Sequence, residues 1–317
     1  MKKVLVTRRI PEEGIELLRS AAEVTVSELD RDLSGQEIVE MGQGCTVLLT
    51  MLSNRIDGEL LDAVPTVRMV ANYAVGYDNI DLEAARRRSV VVTNTPGVLT
   101  ETTAELTLAL ILDAARRVSE GDRLARSGGF TGIHPLFMLG MGLDGKTLGI
   151  YGLGRIGRAV ARRARAFGMH IIYHNRHANS EADAELDARW VSFDELLSTS
   201  DVISINAPLT RHTRGAFDLA AFGRMRPGAV VVNTGRGPII VEDDLADALE
   251  RGFIAAAGLD VYQDEPAINP RLLALDNVVL CPHLGSATRE CRAAMAVMVA
   301  QNVTAFLAGE EPPNRLV

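Results

Sequence analysis

Short apolar runs alternate along this chain with longer stretches in which apolar residues recur at helical spacing. The runs are rich in Val and Ile and are bounded by Gly, Asn or Pro, a pattern that predicts βαβ units around parallel sheets with both faces covered. Ten strands are predicted, at Lys3–Thr7, Thr46–Thr50, Met69–Tyr73, Val90–Thr93, Thr147–Tyr151, Ile171–His174, Val202–Asn206, Val230–Asn233, Ala256–Asp260 and Val278–Leu280. Because ten strands exceed what one open sheet usually holds, we expect two sheets and an α/β fold.

The longest helical pattern lies between the fourth and fifth of these strands. It extends over Thr100–Ser127, opens with the capping-box spacing Thr102-x-x-Glu105 and is followed by Gly128-Gly129, so it predicts one long helix. Pro96-Gly97 interrupts the chain just before this helix. We therefore place the first crossing between two domains at 96–100.

A second long helical pattern, Thr288–Leu307, follows the last predicted strand and has no sheet of its own to cover. We expect this helix to return to the first domain, which would make that domain discontinuous. The predicted boundaries are then residues 1–98 with 287–317 for one domain and residues 99–286 for the other.

The composition supports a folded chain and limits its partners. Of 317 residues, 47% are apolar and 23% are charged, which is enough apolar material for a core and excludes intrinsic disorder. Asp and Glu number 41 against 33 Lys and Arg. The resulting net charge of −8 repels phosphate backbones and argues against nucleic acid as a partner.

Targeting, membrane and cysteine signals predict a soluble, cytoplasmic protein. The apolar stretch near the N-terminus is only three residues long, and apolar runs such as Ala293–Ala300 are far shorter than the ~20 residues of a membrane span. The three cysteines, Cys45, Cys281 and Cys291, form no C-x-x-C pair. Neither a disulfide framework nor a metal site is therefore expected.

The predicted strand Thr147–Tyr151 runs into a glycine-rich turn and then into a helical pattern. The turn reads Gly152-Leu153-Gly154-Arg155-Ile156-Gly157. In this context the first glycine permits a tight turn, the second admits a pyrophosphate and the third lets helix and strand pack closely. Because the N-terminus of the helix also offers unpaired N–H groups, the sequence predicts a dinucleotide site here.

The residues after the next strand bear on which dinucleotide is bound. Asn175, Arg176 and His177 stand where an acidic residue usually binds the ribose diol of NAD. A carboxylate would repel a 2′-phosphate, whereas an Asn and a guanidinium accept it, so NADP(H) is favoured over NAD(H). The alternative is an exposed polar loop in which Arg176 stacks on the adenine ring.

Three further segments follow predicted strands and carry polar side chains, namely Arg236, Glu265 and His283. Because ligands bind at the carboxyl ends of strands in doubly wound sheets, these side chains could converge on one cleft. Taken singly, each also has an ordinary interpretation, as a solvated Arg, a loop charge and a packed ring.

The chain resembles the D-isomer-specific 2-hydroxyacid dehydrogenase family in the order and spacing of four segments, Gly152–Gly157, Asn233–Gly237, Gly258–Pro266 and Pro282–Thr288. Two more segments resemble the glyoxylate/hydroxypyruvate reductase branch of that family, Asn72–Asp81 and Thr93–Glu105. The resemblance covers essentially the whole chain. It implies two doubly wound parallel-sheet domains, a Rossmann-type cofactor domain at 99–286 and a flavodoxin-like substrate-binding domain made of the remaining residues.

The resemblance implies NAD(P)-dependent reduction of a small 2-oxo acid, glyoxylate or hydroxypyruvate, to the D-2-hydroxy acid. Arg236 would bind the substrate's carboxylate and polarise its carbonyl, as a planar, permanently charged guanidinium can. His283 would be the general acid, because an imidazole both gives and takes a proton near neutrality. Glu265 would pair with the other ring nitrogen. Formate-oxidising relatives have Gln there, which argues against formate as the substrate.

The same resemblance assigns residues that support the two ligands. For the substrate, the backbone N–H groups of Val75 and Gly76 would hold the carboxylate and Leu52 would form an apolar wall. For the cofactor, Thr103 would lie near the nicotinamide and Asp260 would face its amide. Further cofactor contacts are implied at Pro208, Thr213, Thr234, Gly235 and Gly285. Considered alone, Val75, Leu52 and Pro208 are more simply explained as packing residues.

A two-fold homodimer is implied as well, and apolar residues of the predicted long helix fit such an interface, at Leu106, Ala109, Leu110 and Ala114. Reductases of this branch often carry a Trp that reaches into the partner's active site. This chain has Phe130–Pro135 there, so Ile133 or His134 would take that place. Two alternative functions stay open, a 2-ketogluconate-type or other 2-oxo acid reductase and a nucleotide-sensing, corepressor-like binding protein.

Overall fold

In the computed structural model, which describes residues 2–317, the chain divides into two units. The first unit contains the chain up to Leu99 together with Ala287–Val317, and the second contains Thr100–Ser286. The first boundary thus falls after Leu99, one residue later than predicted. Each unit has its own parallel sheet, so the expected two-sheet α/β fold is confirmed.

The first unit is built on five strands, β1 (Lys3–Val6), β2 (Glu23–Val26), β3 (Val47–Thr50), β4 (Met69–Asn72) and β5 (Val91–Thr93). Four helices connect them, α1 (Glu12–Ala21), α2 (Gly35–Met41), α3 (Gly58–Ala63) and α4 (Leu82–Arg87). The strand order is β2-β1-β3-β4-β5, the flavodoxin-like order of a doubly wound sheet. Strands β3 and β4 are buried along their whole length, as expected of strands with helices on both faces.

Polar residues fix where three of these helices begin. Ser34, Asp57 and Asp81 each accept a hydrogen bond from a backbone N–H in the first turn of α2, α3 and α4. Such caps satisfy N–H groups that have no partner within the helix. The two loops that lead from β3 and β4 into α3 and α4 therefore have fixed ends.

The second unit is built on seven strands, β6 (Thr147–Tyr151), β7 (His170–His174), β8 (Ala188–Trp190), β9 (Val202–Ile205), β10 (Val230–Asn233), β11 (Ala256–Leu259) and β12 (Val278–Leu280). All are parallel, in the order β12-β11-β10-β9-β6-β7-β8. The winding direction reverses between β6 and β9. Open sheets of this kind bind ligands beside such a reversal, at the carboxyl ends of the strands.

Eight helices accompany this sheet, α5 (Thr100–Arg116), α6 (Val118–Arg126), α7 (Arg155–Ala166), α8 (Ser180–Leu186), α9 (Phe193–Thr199), α10 (Leu219–Phe222), α11 (Glu242–Glu250) and α12 (Pro270–Leu273). A short 3₁₀ helix spans Gly237–Ile239. Helix α5 packs against β10 and β11 as well as against α7, and so covers one face of the sheet.

The prediction of a single helix over Thr100–Ser127 is wrong. Arg117 adopts a left-handed backbone conformation, with φ of 56°, and separates α5 from α6. The predicted capping box is wrong as well, because α5 already begins at Thr100 and both Thr102 and Glu105 lie inside it. Glu105 instead forms an ion pair with Arg163 of α7, at 3.3 Å.

The final helix, α13 (Arg289–Ala308), belongs to the first unit, where it packs against α1 and β4. Thr288 caps it by accepting a hydrogen bond from the N–H of Cys291 at 3.2 Å. By length and composition alone, α13 is the one helix among residues 2–317 that could cross a membrane. Its buried side chains, Met295 and Val299 among them, belong to the core of the first unit, which accounts for its apolar composition.

Candidate active site

Strand β6 leads into the glycine-rich turn, and the structure shows why glycine is needed there. Gly152 has φ of 101°, and a Cβ on it would lie 2.6 Å from the backbone nitrogen of Ala207. Gly154 is the N-cap of α7, where no side chain caps the first turn, and a Cβ on Gly154 would meet no atom within 4 Å. Open space therefore lies beside uncapped N–H groups, an arrangement that fits a pyrophosphate.

Asn175 follows β7, and its side chain is hydrogen-bonded to the glycine-rich turn. Its Oδ1 accepts a hydrogen bond from the N–H of Leu153 at 2.7 Å, and its backbone carbonyl accepts one from the indole N–H of Trp190 at 2.9 Å. The side chain predicted to accept a 2′-phosphate is thus already bonded to the glycine-rich turn. Arg176 and His177 are exposed, and Arg176 makes no hydrogen bond or ion pair within residues 2–317.

The predicted general acid and its partner lie together beyond the carboxyl ends of β11 and β12. Nδ1 of His283 is 2.8 Å from Oε2 of Glu265, and Oε1 of Glu265 accepts a hydrogen bond from the N–H of Tyr262 at 3.0 Å. Within the described chain, Nε2 of His283 has no hydrogen-bond partner. The two side chains remain 34% and 35% exposed, so a ligand can reach this second ring nitrogen.

Glu265 stays ionised although it is partly buried. Burial raises the pKa of its carboxyl, but the hydrogen bond and charge of His283, the N–H of Tyr262 and the charge of Arg236 lower it. The net result is a pKa below the ordinary value. The carboxylate therefore accepts the ring N–H at Nδ1 of His283, which leaves Nε2 as the atom that can exchange a proton.

The backbone of His283 has a conformation that is uncommon outside glycine, with φ of 56°. The N–H of His283 donates to the carbonyl oxygen of Asp260 at 3.0 Å. The N–H groups of Leu284 and Gly285 donate to the two carboxylate oxygens of Asp260, at 2.6 and 2.8 Å. Strained backbone of this kind persists only where its surroundings hold it, and it is frequent at functional sites.

Asp260 thus has a function that the sequence did not indicate, since its carboxylate anchors the loop that carries His283. The side chain is almost fully buried, and this burial raises the pKa of its carboxyl. The backbone N–H groups of Leu284 and Gly285 favour the charged form. A contact between Asp260 and the nicotinamide amide stays a prediction.

Arg236 lies in a tight turn after β10 that a buried asparagine holds. Nδ2 of Asn233 donates to the carbonyl oxygen of Arg236 at 3.0 Å, and its Oδ1 accepts from the N–H of Gly235 at 3.0 Å. The next residue, Gly237, packs directly against the loop that carries Glu265. The Arg236 guanidinium is consequently close enough to Glu265 to lower the pKa of that carboxyl.

Threonine hydroxyls join α5 to the carboxyl end of the sheet. Thr103 donates to the carbonyl oxygen of Gly285 at 2.9 Å. The hydroxyls of Thr107 and Thr234 lie 2.8 Å apart. Thr103, Thr234 and Gly285, three of the predicted cofactor residues, are therefore connected through one helix.

The loop after β9 contains two further predicted cofactor residues. The hydroxyl of Thr213 donates to the carbonyl oxygen of Pro208 at 2.7 Å and accepts from the N–H of Thr210 at 2.8 Å. Pro208 is exposed and Thr213 is half-buried. Because Ala207 lies against Gly152, this loop begins beside the glycine-rich turn.

In the first unit, the predicted carboxylate-binding loop follows β4. The carbonyl oxygen of Val75 accepts a hydrogen bond from Nδ2 of Asn94, and that of Gly76 accepts one from Nδ2 of Asn72, both at 2.8 Å. Within residues 2–317, the N–H groups of Val75 and Gly76 have no acceptor. Leu52 is half-buried in the loop after β3.

Sequence reasoning missed four residues that shape these sites, Asn72, Asn94, Asn233 and Glu242. Glu242 begins α11, is 7% exposed and accepts a hydrogen bond from the N–H of Gln263 at 2.6 Å. Burial raises the pKa of its carboxyl. The three asparagines do stand at or just after strand ends, but ordinary turn residues occupy such positions too.

A dinucleotide site and an Arg, Glu and His set at the carboxyl edge of one doubly wound sheet are what a nicotinamide-dependent dehydrogenase requires. Residues 108–285 match the NAD binding domain of the D-isomer specific 2-hydroxyacid dehydrogenases. The chain belongs to this family, as its sequence led us to expect.

Relatives of known name agree along almost the whole chain. The glyoxylate reductase of Pyrococcus furiosus is 48% identical over 316 residues, which covers 98% of this chain and 94% of that protein. A crystal structure of a Thermus thermophilus protein superposes with a TM-score of 0.93 at 44% identity, over 99% of this chain and 100% of that one. The NADPH-dependent glyoxylate/hydroxypyruvate reductase of Sinorhizobium meliloti was crystallised with NADP and malonate. Its structure superposes with a TM-score of 0.89 at 32% identity, over 100% of this chain and 97% of that one.

Proposed function

We propose that this chain reduces glyoxylate or hydroxypyruvate to the D-2-hydroxy acid and that it prefers NADPH to NADH. The observation that supports the reaction most directly is the pair of His283 and Glu265, 2.8 Å apart, with the second ring nitrogen left to a ligand. The names of the relatives support the substrate class, since several are called glyoxylate reductase.

When bound, the nicotinamide cofactor supplies the hydride that adds to the substrate's carbonyl carbon. Arg236 binds the carboxylate and the carbonyl oxygen, and its permanent charge stabilises the negative charge that develops on that oxygen. His283 donates the proton on Nε2 to the same oxygen. Glu265 holds the N–H at Nδ1 and stabilises the positive charge of the ring before the proton is transferred.

The cofactor is assigned to the carboxyl edge of the seven-stranded sheet. The pyrophosphate belongs over Gly154, where open space adjoins the uncapped N-terminus of α7. The remaining contacts are proposed at Thr103, Pro208, Thr213, Thr234, Gly235, Asp260 and Gly285. Several of these residues are hydrogen-bonded to one another's backbone, so this surface is preorganised.

The preference for NADPH rests on the loop Asn175–His177. None of its three residues is acidic, so a 2′-phosphate meets no carboxylate within the loop. Because the amide of Asn175 is bonded to Leu153, the exposed guanidinium of Arg176 is the group to which we assign the phosphate.

We also propose a homodimer, formed through the segment that the resemblance places at the partner's active site rather than through Leu110 and Ala114 of the predicted long helix. Leu110 and Ala114 are buried within the second unit and are not free to contact a partner. Exposed apolar side chains instead cluster on α6 and the segment after it, at Val118 (57%), Phe130 (54%), Ile133 (86%), Leu136 (76%) and Leu139 (61%). Exposed apolar surface of this extent is typical of a protein contact.

The proposed compartment is the cytosol. Cys45 and Cys281 are free thiols, as is usual in a reducing compartment. Within residues 2–317, no group of three or more His, Cys, Asp or Glu side chains could hold a metal ion, and the proposed reaction uses none.

A panel of 2-oxo acids, each assayed with NADPH and with NADH, tests the proposal. Glyoxylate and hydroxypyruvate should give the highest kcat/KM, and hydroxypyruvate should yield D-glycerate on chiral analysis. Turnover confined to a larger acid such as 2-ketogluconate would replace the substrate assignment. Binding of NADPH without turnover of any acid would favour the corepressor-like alternative.

A further inference from the structure

We propose that Asn72 and Asn94 are positioning residues, whose side-chain amides orient the loop Ala74–Tyr77 so that its N–H groups bind the substrate's carboxylate. The inference rests on the proposed function and goes beyond it, because it explains how the loop acquires its affinity for an anion. Neither asparagine needs to touch the substrate.

In three consecutive peptide groups of this loop, the carbonyl oxygen accepts a hydrogen bond from another part of the first unit. The carbonyl oxygen of Ala74 accepts a hydrogen bond from the N–H of Thr95 at 2.9 Å. The next two carbonyls, of Val75 and Gly76, accept from the amides of Asn94 and Asn72, both at 2.8 Å.

In a trans peptide group, the C=O and the N–H point in opposite directions, because the group is planar. Binding the carbonyls of Ala74, Val75 and Gly76 therefore turns the N–H groups of Val75, Gly76 and Tyr77 the other way. Within residues 2–317, none of these three N–H groups has an acceptor. Successive unpaired N–H groups form a concave binding site for anions, and a carboxylate fits such a site.

The two amides are themselves held in place. Asn72 is fully buried, and its Oδ1 accepts hydrogen bonds from Thr50 and Asn79, each at 3.4 Å. Because its oxygen is used in this way, the NH₂ group of Asn72 must face the carbonyl of Gly76.

Asn94 is 6% exposed and is fixed through its backbone. Its carbonyl accepts from Nδ2 of Asn302 at 3.2 Å, and its N–H donates to the carbonyl of Asn314 at 3.3 Å. Asn302 is fully buried in α13. The position of Asn94 is thus set by the core of the first unit.

A neutral amide suits this function because it donates a hydrogen bond without adding a charge. An Asp at either position has the same shape, but its ionised carboxylate can only accept. It would then face a carbonyl oxygen with no proton to share, and it would place a negative charge behind an anion site.

Asn72→Asp and Asn94→Asp test the proposal in the full-length protein with NADPH. We expect KM for glyoxylate and Kd for oxamate, a carboxylate that is not reduced, to rise roughly 3–10-fold at pH 8. Because the carboxylate is bound alike in ground and transition states, kcat and KM for NADPH should stay near wild type. The defect relative to wild type should shrink towards pH 5.5, since a protonated Asp regains a donor.

Asn277→Asp is the matched control, because Nδ2 of Asn277 also donates to a backbone carbonyl, that of Ala255 at 3.0 Å, in the second unit. It should leave oxamate binding unchanged. Wild-type oxamate affinity in both Asp variants would overturn the proposal. A loss of oxamate affinity that is the same at every pH would also overturn it, and so would an equal loss of affinity for NADPH. Wild-type protein that neither reduces glyoxylate nor binds oxamate would instead overturn the proposed function itself.

Discussion

Gly237 and Tyr262 approach each other more closely than any side chain on residue 237 would allow. A Cβ on Gly237 would lie 1.9 Å from both the carbonyl carbon and the carbonyl oxygen of Tyr262. This contact joins the turn that carries Arg236 to the loop that carries Glu265. Because glycine has no Cβ, the turn with Arg236 and the loop with Glu265 can lie this close together.

Gly237→Ala is expected to force these loops apart. Overpacking of this kind lowers the free energy of unfolding by about 1–3 kcal/mol. The Tm should fall, and kcat/KM for glyoxylate should fall with it. Gly142→Ala is a suitable control, because a Cβ on Gly142 would meet no atom within 4 Å. Equal Tm and kcat/KM in the two variants would show that the close contact is unimportant.

His283→Ala should lower kcat by about 10²–10⁴-fold, because the proton donor is removed. NADPH binding, measured by fluorescence titration, should be unchanged, since His283 is not assigned to the cofactor. Near-normal turnover at neutral pH would remove His283 from the role of general acid.

Glu265→Gln tests the ion pair through the pH dependence of stability. The pKa of Glu265 lies below its ordinary value of 4.5 in the folded protein. Its charge therefore stabilises the fold above the unfolded-state pKa, and this contribution is lost as the pH falls through the folded-state pKa. The Tm of wild type should exceed that of Glu265→Gln at pH 6, and the difference should shrink towards pH 3.

Thermal melts of both proteins between pH 3 and 6 measure this difference directly. Its dependence on pH is the informative quantity, because the size at any one pH also includes the packing of the new amide. A difference that stays constant, or that grows as the pH falls, would contradict the depressed pKa of Glu265.

Wild type should prefer NADPH over NADH by about 10–100-fold in kcat/KM, the range given by a charge-assisted hydrogen bond of roughly 1.5–3 kcal/mol. Arg176→Ala should reduce this ratio, mainly by raising KM for NADPH. Asn175→Asp should favour NADH, and it retains an oxygen to accept the N–H of Leu153. Equal use of both cofactors, unaffected by Arg176→Ala, would assign Arg176 to an ordinary surface loop.

Light scattering should give about twice the chain mass of 34.2 kDa at micromolar concentration. Ile133→Asp should raise the monomer fraction, because Ile133 is the most exposed apolar side chain of the segment after α6. Leu273→Asp, at a site 60% exposed on α12, provides the control. A wild-type mass near that of one chain would exclude the dimer.

The central strands could be predicted from sequence because each is buried on both faces. All ten predicted strands are present, with ends that differ by at most one residue. The two that were missed, β2 and β8, are edge strands, whereas the edge strands β5 and β12 were predicted because each keeps an apolar run. Edge strands are less covered, so Glu23–Val26 and Ala188–Trp190 can carry polar or exposed residues and show no continuous apolar run.

The break between α5 and α6 could not be predicted, because no glycine or proline marks it. Arg117 takes the left-handed conformation while both its Nε and its Nη2 bind the carboxylate of Glu120, at 2.7 and 2.6 Å. Local side-chain contacts thus stabilise a conformation that the residue itself does not favour.

In the candidate site too, some features could be predicted from the sequence and others could not. The turn Gly152–Gly157 could be recognised because its glycines lie between a strand and a helix, and the resemblance to a family pointed to His283 and Glu265. The contact of Asn94 with Val75 joins residues 19 positions apart in different loops. No local pattern encodes such a contact, so it becomes visible only once β4 and β5 are paired.

The hydrogen bond from the N–H of Leu153 to Oδ1 of Asn175 has a consequence for evolvability. Asparagine and aspartate codons differ by a single base, and both side chains place an oxygen where Leu153 needs an acceptor. One point mutation would therefore add a carboxylate beside the proposed ribose site and keep an acceptor for the N–H of Leu153. If the cofactor binds as proposed, descendants of this chain could move from NADPH towards NADH by one substitution that leaves the phosphate turn intact.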